Sequence, residues 1–309
     1  MRIKTPSRIH MTLIDLNASI GRIDGGIGLA LEEPHILLEA EESGELEIEG
    51  PLSDKAKEAA LKVLEAYRID AGIRINIEKA YTPHIGLGSG TQISLAVGTA
   101  ICRIYKKNFT IKGLARMVGR GGTSGIGVAA FEAGGFILDG GHSTKEKKDF
   151  LPSSASKAAP APVILRRNFP NWDIALIIPR RRRRISGVRE VNIFQEFCPL
   201  PINEVQGLCH LILMKILPAL ADEDIESFGD GINKIQNIGF KKIEVELQTK
   251  EVRELLKTCS EYSYGAGLSS FGPTIYCLVR DERKLLDAVG EKAEVIITKA
   301  NNSGAKIGD

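Results

Sequence analysis

A chain of 309 residues, 43% hydrophobic and 26% charged, is long enough for two domains around a sizeable core, which excludes a disordered tail or a disulfide-stapled miniprotein. The 41 Lys and Arg residues against 39 Asp and Glu give a net charge of +2; with the five arginines at 180–184 set aside, 36 face 39, so no chain-wide nucleic-acid footprint exists. Five cysteines, odd in number and without Cys-x-x-Cys spacing, read as reduced thiols of a cytoplasmic protein. No leader-type apolar segment opens the chain, and the longest apolar stretch, Leu208 to Ala221, is short for a membrane span and carries His210 and Lys215. Glycine is abundant, 32 residues, which directs attention to sites built from backbone.

In chain order, an N-terminal apolar strand containing His10 leads into a Gly-rich turn at Gly21 to Gly28. Leu46 and Ile48 then alternate with Glu45, Glu47 and Glu49, and Ile73, Ile75 and Ile77 alternate with Arg74 and Asn76, the period of half-buried strands. Between them Ser53 is placed to cap a helix whose Ala56, Ala60, Val63, Leu64 and Tyr67 recur at helical spacing. A second helix is predicted from Ser89 to Tyr105, followed by Gly-rich turns at 119–127 and a short strand in Gly134 to Gly141. The Pro-, Ser- and Ala-rich stretch 152–162 marks a boundary, giving domains at 1–165 and 166–309. The second half reads as a strand at 172–178, helices at 203–217 (Asn203 cap, Gln206 three residues on), 223–236 and 250–259, a strand at 274–279, a helix at 282–289 and a strand at 294–298.

The densest chemical signal is Pro83-His84-Ile85-Gly86-Leu87-Gly88-Ser89-Gly90-Thr91-Gln92, between a predicted strand and a predicted helix. Glycines admit a ligand close to the backbone, and a helix start offers unpaired N–H groups and a positive dipole end, so Gly86, Gly88, Ser89, Gly90, Thr91 and Gln92 suit a phosphate or diphosphate. A flexible strand-to-helix turn is the competing reading. The pattern is neither Gly-Lys-Ser/Thr of the Walker loop nor G-x-G-x-x-G.

This segment resembles the phosphate-binding motif of the GHMP superfamily of galactokinase, homoserine, mevalonate and phosphomevalonate kinases. Thr5 to His10 is similar to its N-terminal motif, and Tyr264 to Thr274, with Gly267 and Ser269, to its C-terminal Gly-rich motif. The resemblance implies an α/β (α+β) two-domain fold, with an N-terminal α/β domain that has a left-handed crossover, a ferredoxin-like C-terminal domain, and the site between them. Many of these kinases carry a Pro-Ser-Gly-x-Asp stretch whose carboxylate handles the substrate hydroxyl; here the run is Thr123-Ser124-Gly125-Ile126-Gly127, with glycine at the Asp position.

Ser7 to Leu16, Gly21 to Gly28, the Gly-Ser-Gly-Thr-Gln end of the anion loop, the Arg120 to Gly127 turn and Ser186-Gly187-x-Arg189-Glu190 resemble a narrower family, the β-ribofuranosylaminobenzene 5′-phosphate synthases of methanopterin biosynthesis. That resemblance implies a decarboxylating phosphoribosyl transfer from phosphoribosyl pyrophosphate to 4-aminobenzoate or 4-hydroxybenzoate, with Mg²⁺ held through the pyrophosphate. Arg8, His10, Asp15 and Asp24 are then the candidate catalytic residues, with Arg22, Ser124, Gly267 and Ser269 joining the loop in substrate binding and no protein metal ligand assigned. Simpler roles stay open: His10 as a core histidine, Asp15 and Asp24 as turn residues, Asp139 and His142 as parts of an Asx turn, His84 as a surface neighbour. Arg180 to Arg184 read as a solvated loop or as a lid over phosphate. An ATP-dependent small-molecule kinase and a non-catalytic nucleotide- or nucleic-acid-binding protein are the alternatives; small-molecule substrates and a homodimer, without nucleic acid or membrane, are the expected partners.

Overall fold

The computed structural model describes residues 1–153, 155–180 and 188–308. Its frame is a pair of long antiparallel strands, β1 (Arg2–Asp15) and β2 (Arg22–Ser43), in register from Arg2 opposite Glu39 to Asp15 opposite Asp24. The register shifts at Thr5/Ser7 and His10/Thr12, so residues on either side of His10 are re-aimed relative to a regular pleat. β3 (Leu46–Glu49) pairs in parallel with β4 (Gly72–Lys79) across α1 (Ser53–Ala66), whose Ala56, Ala59, Ala60, Val63 and Leu64 form its buried stripe. The cap of α1 differs from expectation: Leu52, with φ of 64°, holds the cap position and Ser53 is already helical.

α2 (Ser89–Ile104) is buried along nearly its whole length, because its residues are small or apolar on every face. α3 (Ile111–Met117) and α4 (Ile126–Glu132) follow; Gly125 and Ile126 begin a helix where the glycines suggested only turns. β5 (Phe136–Asp139) and β6 (His142–Ser143) both pair with β2, and β7 (Val163–Arg167) pairs with β5, so the expected division at 165/166 falls within a strand of the first sheet.

The second sheet contains β8 (Ile174–Pro179), then, after α5 (Val188–Phe197), α6 (Ile202–Leu211), a π-helical turn at 212–216, α7 (Leu217–Ala221), α8 (Ile225–Ile235), α9 (Gly239–Glu246) and α10 (Lys250–Glu261), the strands β9 (Ser263–Leu268) and β10 (Ile275–Val279), α11 (Glu282–Val289) and β11 (Ala293–Thr298). Its order is β11-β8-β10-β9 with all pairs antiparallel, which is the ferredoxin-like arrangement. Pro201, not Asn203, occupies the cap of α6. The helical run 202–221 has the length and composition of a membrane span, yet Val205, Leu208, Ile212, Ile216 and Leu220 pack into the core.

The chain then returns to the first sheet. β12 (Lys306–Gly308) pairs with β1, and Asn301 exchanges backbone hydrogen bonds with Ala30 and Gly135. The two sheets share one core, stitched by edge-on ring contacts of Phe228 with Phe136, Phe169 and Trp172 at centroid distances of 6.1, 5.5 and 5.7 Å.

Candidate functional site

A cleft of about 680 Å³ opens where β1, the loop before α2, the start of α4, α5, α9 and the loop after β9 converge. Its polar end is the anion loop. Gly86 and Gly88 take φ of 89° and 81°, the left-handed region that glycine enters without a Cβ penalty. At Gly86 the requirement is also one of space, since a Cβ would stand 2.3 Å from the Ser269 carbonyl oxygen.

The loop is clamped by both neighbouring motifs. Arg8 Nη1 donates to the Gly86 carbonyl at 2.5 Å and the Ser269 hydroxyl donates to the same oxygen at 2.7 Å. Ser269 Oγ in turn accepts the His10 N–H at 3.1 Å, while Ser270 N–H donates to the His10 carbonyl at 2.9 Å. Ser269 is therefore a positioning residue, fully buried behind the loop. Ser89, Gly90 and Thr91 open α2 onto the cleft; the Thr91 and Gln92 N–H groups donate to the Gly88 carbonyl at 3.1 and 3.2 Å, which leaves those of Ser89 and Gly90 as the helix-start donors without an intrahelical acceptor. Arg120, mostly buried and with Nε unpartnered among the described residues, lies against this first turn, its guanidinium 3.3 Å from where a Gly90 Cβ would be. Together these groups make a cationic and N–H-rich cradle for an anion.

At the other end the wall is apolar, with Leu13, Phe194 and Phe271, and carries a compact set of charges. Lys241 and Glu244, i and i+3 on α9, form a buried ion pair; Lys241 Nζ also donates to the Leu268 and Ser270 carbonyls at 2.9 and 3.3 Å. Burial, then Arg8 and Lys241, hold the His10 imidazole well below its usual pKa, so it is neutral, and neither ring nitrogen has a partner among the described residues. Burial pushes the Glu190 carboxyl up to about 7, Glu244 adding to the rise and Arg8 opposing it.

Of the residues singled out in the sequence, Arg8, His10, Gly86, Gly88, Ser89, Gly90, Thr91 and Ser124 line the cleft, as does His84. Others do not. Gln92 is buried and donates to the Gly127 carbonyl at 2.8 Å, tying α2 to α4. Asp15 accepts the Asn17 and Ala18 N–H groups, the turn role left open above. Arg22 donates to the Gly140 and Gly141 carbonyls, and Gly267 is a core position where a Cβ would meet the Tyr276 hydroxyl at 2.5 Å. Asp24 sits behind the wall with φ of 71°, bound to His142 Nδ1 at 2.6 Å and to Lys147 Nζ at 2.9 Å; Lys147 also donates to Thr123 Oγ1 and the Leu151 carbonyl. These motif residues brace the cleft from outside because β1 and β2 are long enough for their far ends to pass beyond it. Asp139 accepts from Ser124 Oγ and the Gly125 and Gly141 N–H groups, which fixes the turn entering α4. Of the arginine cluster, residues 181–184 lie outside the described residues.

The GHMP kinases N terminal domain model matches residues 54–135, and the GHMP kinases C terminal model residues 216–294. Full-length relatives are more specific. A β-ribofuranosylphenol 5′-phosphate synthase of Archaeoglobus fulgidus is 50% identical over 99% of this chain and 99% of its own, and one of Methanocaldococcus jannaschii is 49% identical over 99% and 100%. The chain belongs to this synthase family. It is accordingly an enzyme, built on the GHMP fold: the crystal structure of L. major mevalonate kinase in complex with R-mevalonate superposes with a TM-score of 0.72 over 98% of this chain and 97% of that one, at 15% identity.

In this synthase-family member Gly127, matched by sequence motif to the kinase Asp, faces the cleft, and a Cβ there would lie 3.4 Å from Thr91 Cγ2. A side chain at 127 would thus point at the anion loop, and here there is none. The sequence reading placed Arg120 and Glu190 in segments resembling the narrower family without giving either a role, and it missed Phe194, Lys241 and Glu244 as site residues. The spacing of Glu190 and Phe194, one helical turn apart and followed by the apolar Phe197, was the available signal for α5; nothing local distinguishes Lys241 and Glu244 from an exposed i,i+3 pair.

Proposed function

We propose that this enzyme transfers the phosphoribosyl group of phosphoribosyl pyrophosphate to the carboxylate-bearing ring carbon of a para-substituted benzoate, releasing CO₂ and pyrophosphate, as a step of methanopterin biosynthesis. The phenol in the name of the relatives favours 4-hydroxybenzoate over 4-aminobenzoate as acceptor. The observation that carries the reading is Gly127: it leaves no carboxylate at that place to receive the proton of an alcohol, which counts against a kinase although phosphoryl transfer can proceed by positioning and charge stabilisation alone, and an aromatic carbon attacked para to an electron donor needs none there.

In this reading the loop 86–91, the α2 N-terminus and Arg120 bind the diphosphate and stabilise the charge that develops on it as the bond to ribose C1 breaks. Arg8, between the loop and the carboxylates, holds the leaving group from the second side. The oxygen donors of Ser89 and Thr91 suit Mg²⁺, which when bound with the diphosphate would neutralise part of its charge. The apolar wall of Leu13, Phe194 and Phe271 excludes water from C1, so the ring carbon competes for it.

The test is incubation with carboxyl-labelled 4-hydroxybenzoate. Labelled CO₂ and pyrophosphate should appear in equal amounts and only with phosphoribosyl pyrophosphate and a divalent cation present. ATP-dependent phosphorylation of homoserine or mevalonate by the unmodified enzyme would instead establish a kinase.

A further inference from the structure

We infer that Glu190 is the base that takes the para-hydroxyl proton of a phenolic acceptor, and that Phe194, one turn along α5, and Phe271 seat its ring. This inference rests on the transfer reading above and adds the acceptor's place and the proton's route.

The geometry selects Glu190 among the acidic groups that line the cleft. Glu190 and Phe194 are i and i+4, so they share one face of α5, and both line the cleft. Phe194 packs at 6.3 Å from the Phe271 ring, forming an apolar wall beside the carboxylate. Glu244 is committed to Lys241 in a buried ion pair, and Asp54 is an exposed residue at the start of α1. The charged groups that act on Glu190 are Glu244 on α9 and Arg8 on β1; these are linked in turn to Lys241 and to the neutral His10, so the set holds two cations and two carboxylates. Because burial and Glu244 outweigh Arg8, the Glu190 carboxylate is a stronger base than an exposed glutamate.

The proton is needed in one acceptor and not in the other. As a 4-hydroxybenzoate ring carbon forms its bond to ribose C1, the C1–oxygen bond to diphosphate breaks and the O–H electrons move into the ring, so the hydroxyl proton passes to Glu190 and a cyclohexadienone carboxylate results. Loss of CO₂ returns the C–C electron pair to the ring, leaving a phenolate that retrieves the proton from Glu190. With 4-aminobenzoate the nitrogen lone pair does the same work, the intermediate is an iminium, and CO₂ loss regenerates the neutral amine with no proton transferred. A base facing the para position therefore matters for the phenol alone.

The experiment compares wild type, Glu190→Gln and Glu190→Asp with both benzoates, following labelled CO₂. For Glu190→Gln, the ratio of kcat with 4-hydroxybenzoate to kcat with 4-aminobenzoate should fall by about 10²-fold or more, with an unchanged urea midpoint reporting that the variant is folded; Glu190→Asp should recover part of that ratio. Wild-type kcat for the phenol should rise through an acidic limb near pH 7 that is absent with the amine. Equal losses with both acceptors, or no loss with the phenol, overturn the base assignment while leaving phosphoribosyl transfer intact. Wild-type enzyme inert toward both acceptors overturns the transfer reading itself.

Discussion

Replacing Gly86 by alanine tests whether the anion loop is set by backbone-to-backbone contact. The new Cβ meets two costs: a φ of 89°, worth about 1–2 kcal/mol for a residue with a Cβ, and a carbonyl oxygen of Ser269 only 2.3 Å away. That oxygen belongs to the backbone and cannot swing aside like a side chain. Relief requires the loop after β9 to shift, an overpacking cost of about 1–3 kcal/mol. Gly88→Ala meets the first cost with Arg8 side-chain atoms at 3.1 Å, which can yield, and Gly44→Ala meets neither because nothing stands within 4 Å. Urea unfolding should therefore rank the variants Gly44→Ala, Gly88→Ala, Gly86→Ala, with the last destabilised by about 2–5 kcal/mol. Because the same displacement breaks the Ser269–Gly86 and Arg8–Gly86 hydrogen bonds, calorimetry should show donor Kd raised by about tenfold or more in Gly86→Ala. A Gly86→Ala enzyme as stable as Gly44→Ala, with unchanged donor affinity, would refute the clamp.

Two further outcomes follow from buried charges away from the anion loop. Lys147→Met leaves the fully buried Asp24 carboxylate with His142 alone and should cost about 3 kcal/mol in urea unfolding, part of which returns when Asp24→Asn is added. Burial raises the Asp139 carboxyl to about 6, so the folded state holds its proton more tightly than the unfolded state does; the stability this confers is present at low pH and is lost as pH rises from about 4 to 6, by an amount on the order of 3 kcal/mol. The stability difference between wild type and Asp139→Asn, measured by denaturant titration across that window, should change accordingly, and a pH-independent difference would place Asp139 in a solvated setting.

The sequence carried the anion loop, the helix behind it and the order of strands in the second half, because these depend on local period and on glycine spacing. It carried the polar groups that pair across the fold less well. Asp24 and Arg22 lie in a motif-rich stretch, yet the residues that occupy them, His142, Lys147, Gly140 and Gly141, come from more than 100 positions away. Lys241 and Glu244 look like a solvated helical pair until the loop after β9 folds over them and supplies the carbonyls of Leu268 and Ser270. Long-range pairing, invisible in a window of ten residues, separates a cleft-lining carboxylate from a bracing one.

The placement of β12 also bears on how the chain matures during synthesis. Residues 2–4 are synthesised well before residues 306–308, the strand that covers their outer edge. Until then β1 presents unpaired N–H and carbonyl groups along that edge, an open template for strand addition by another nascent chain. Completion of the first sheet must await the whole second half, so this enzyme's two sheets cannot mature as independent co-translational units, and crowded polysomes are where its misassembly should be sought.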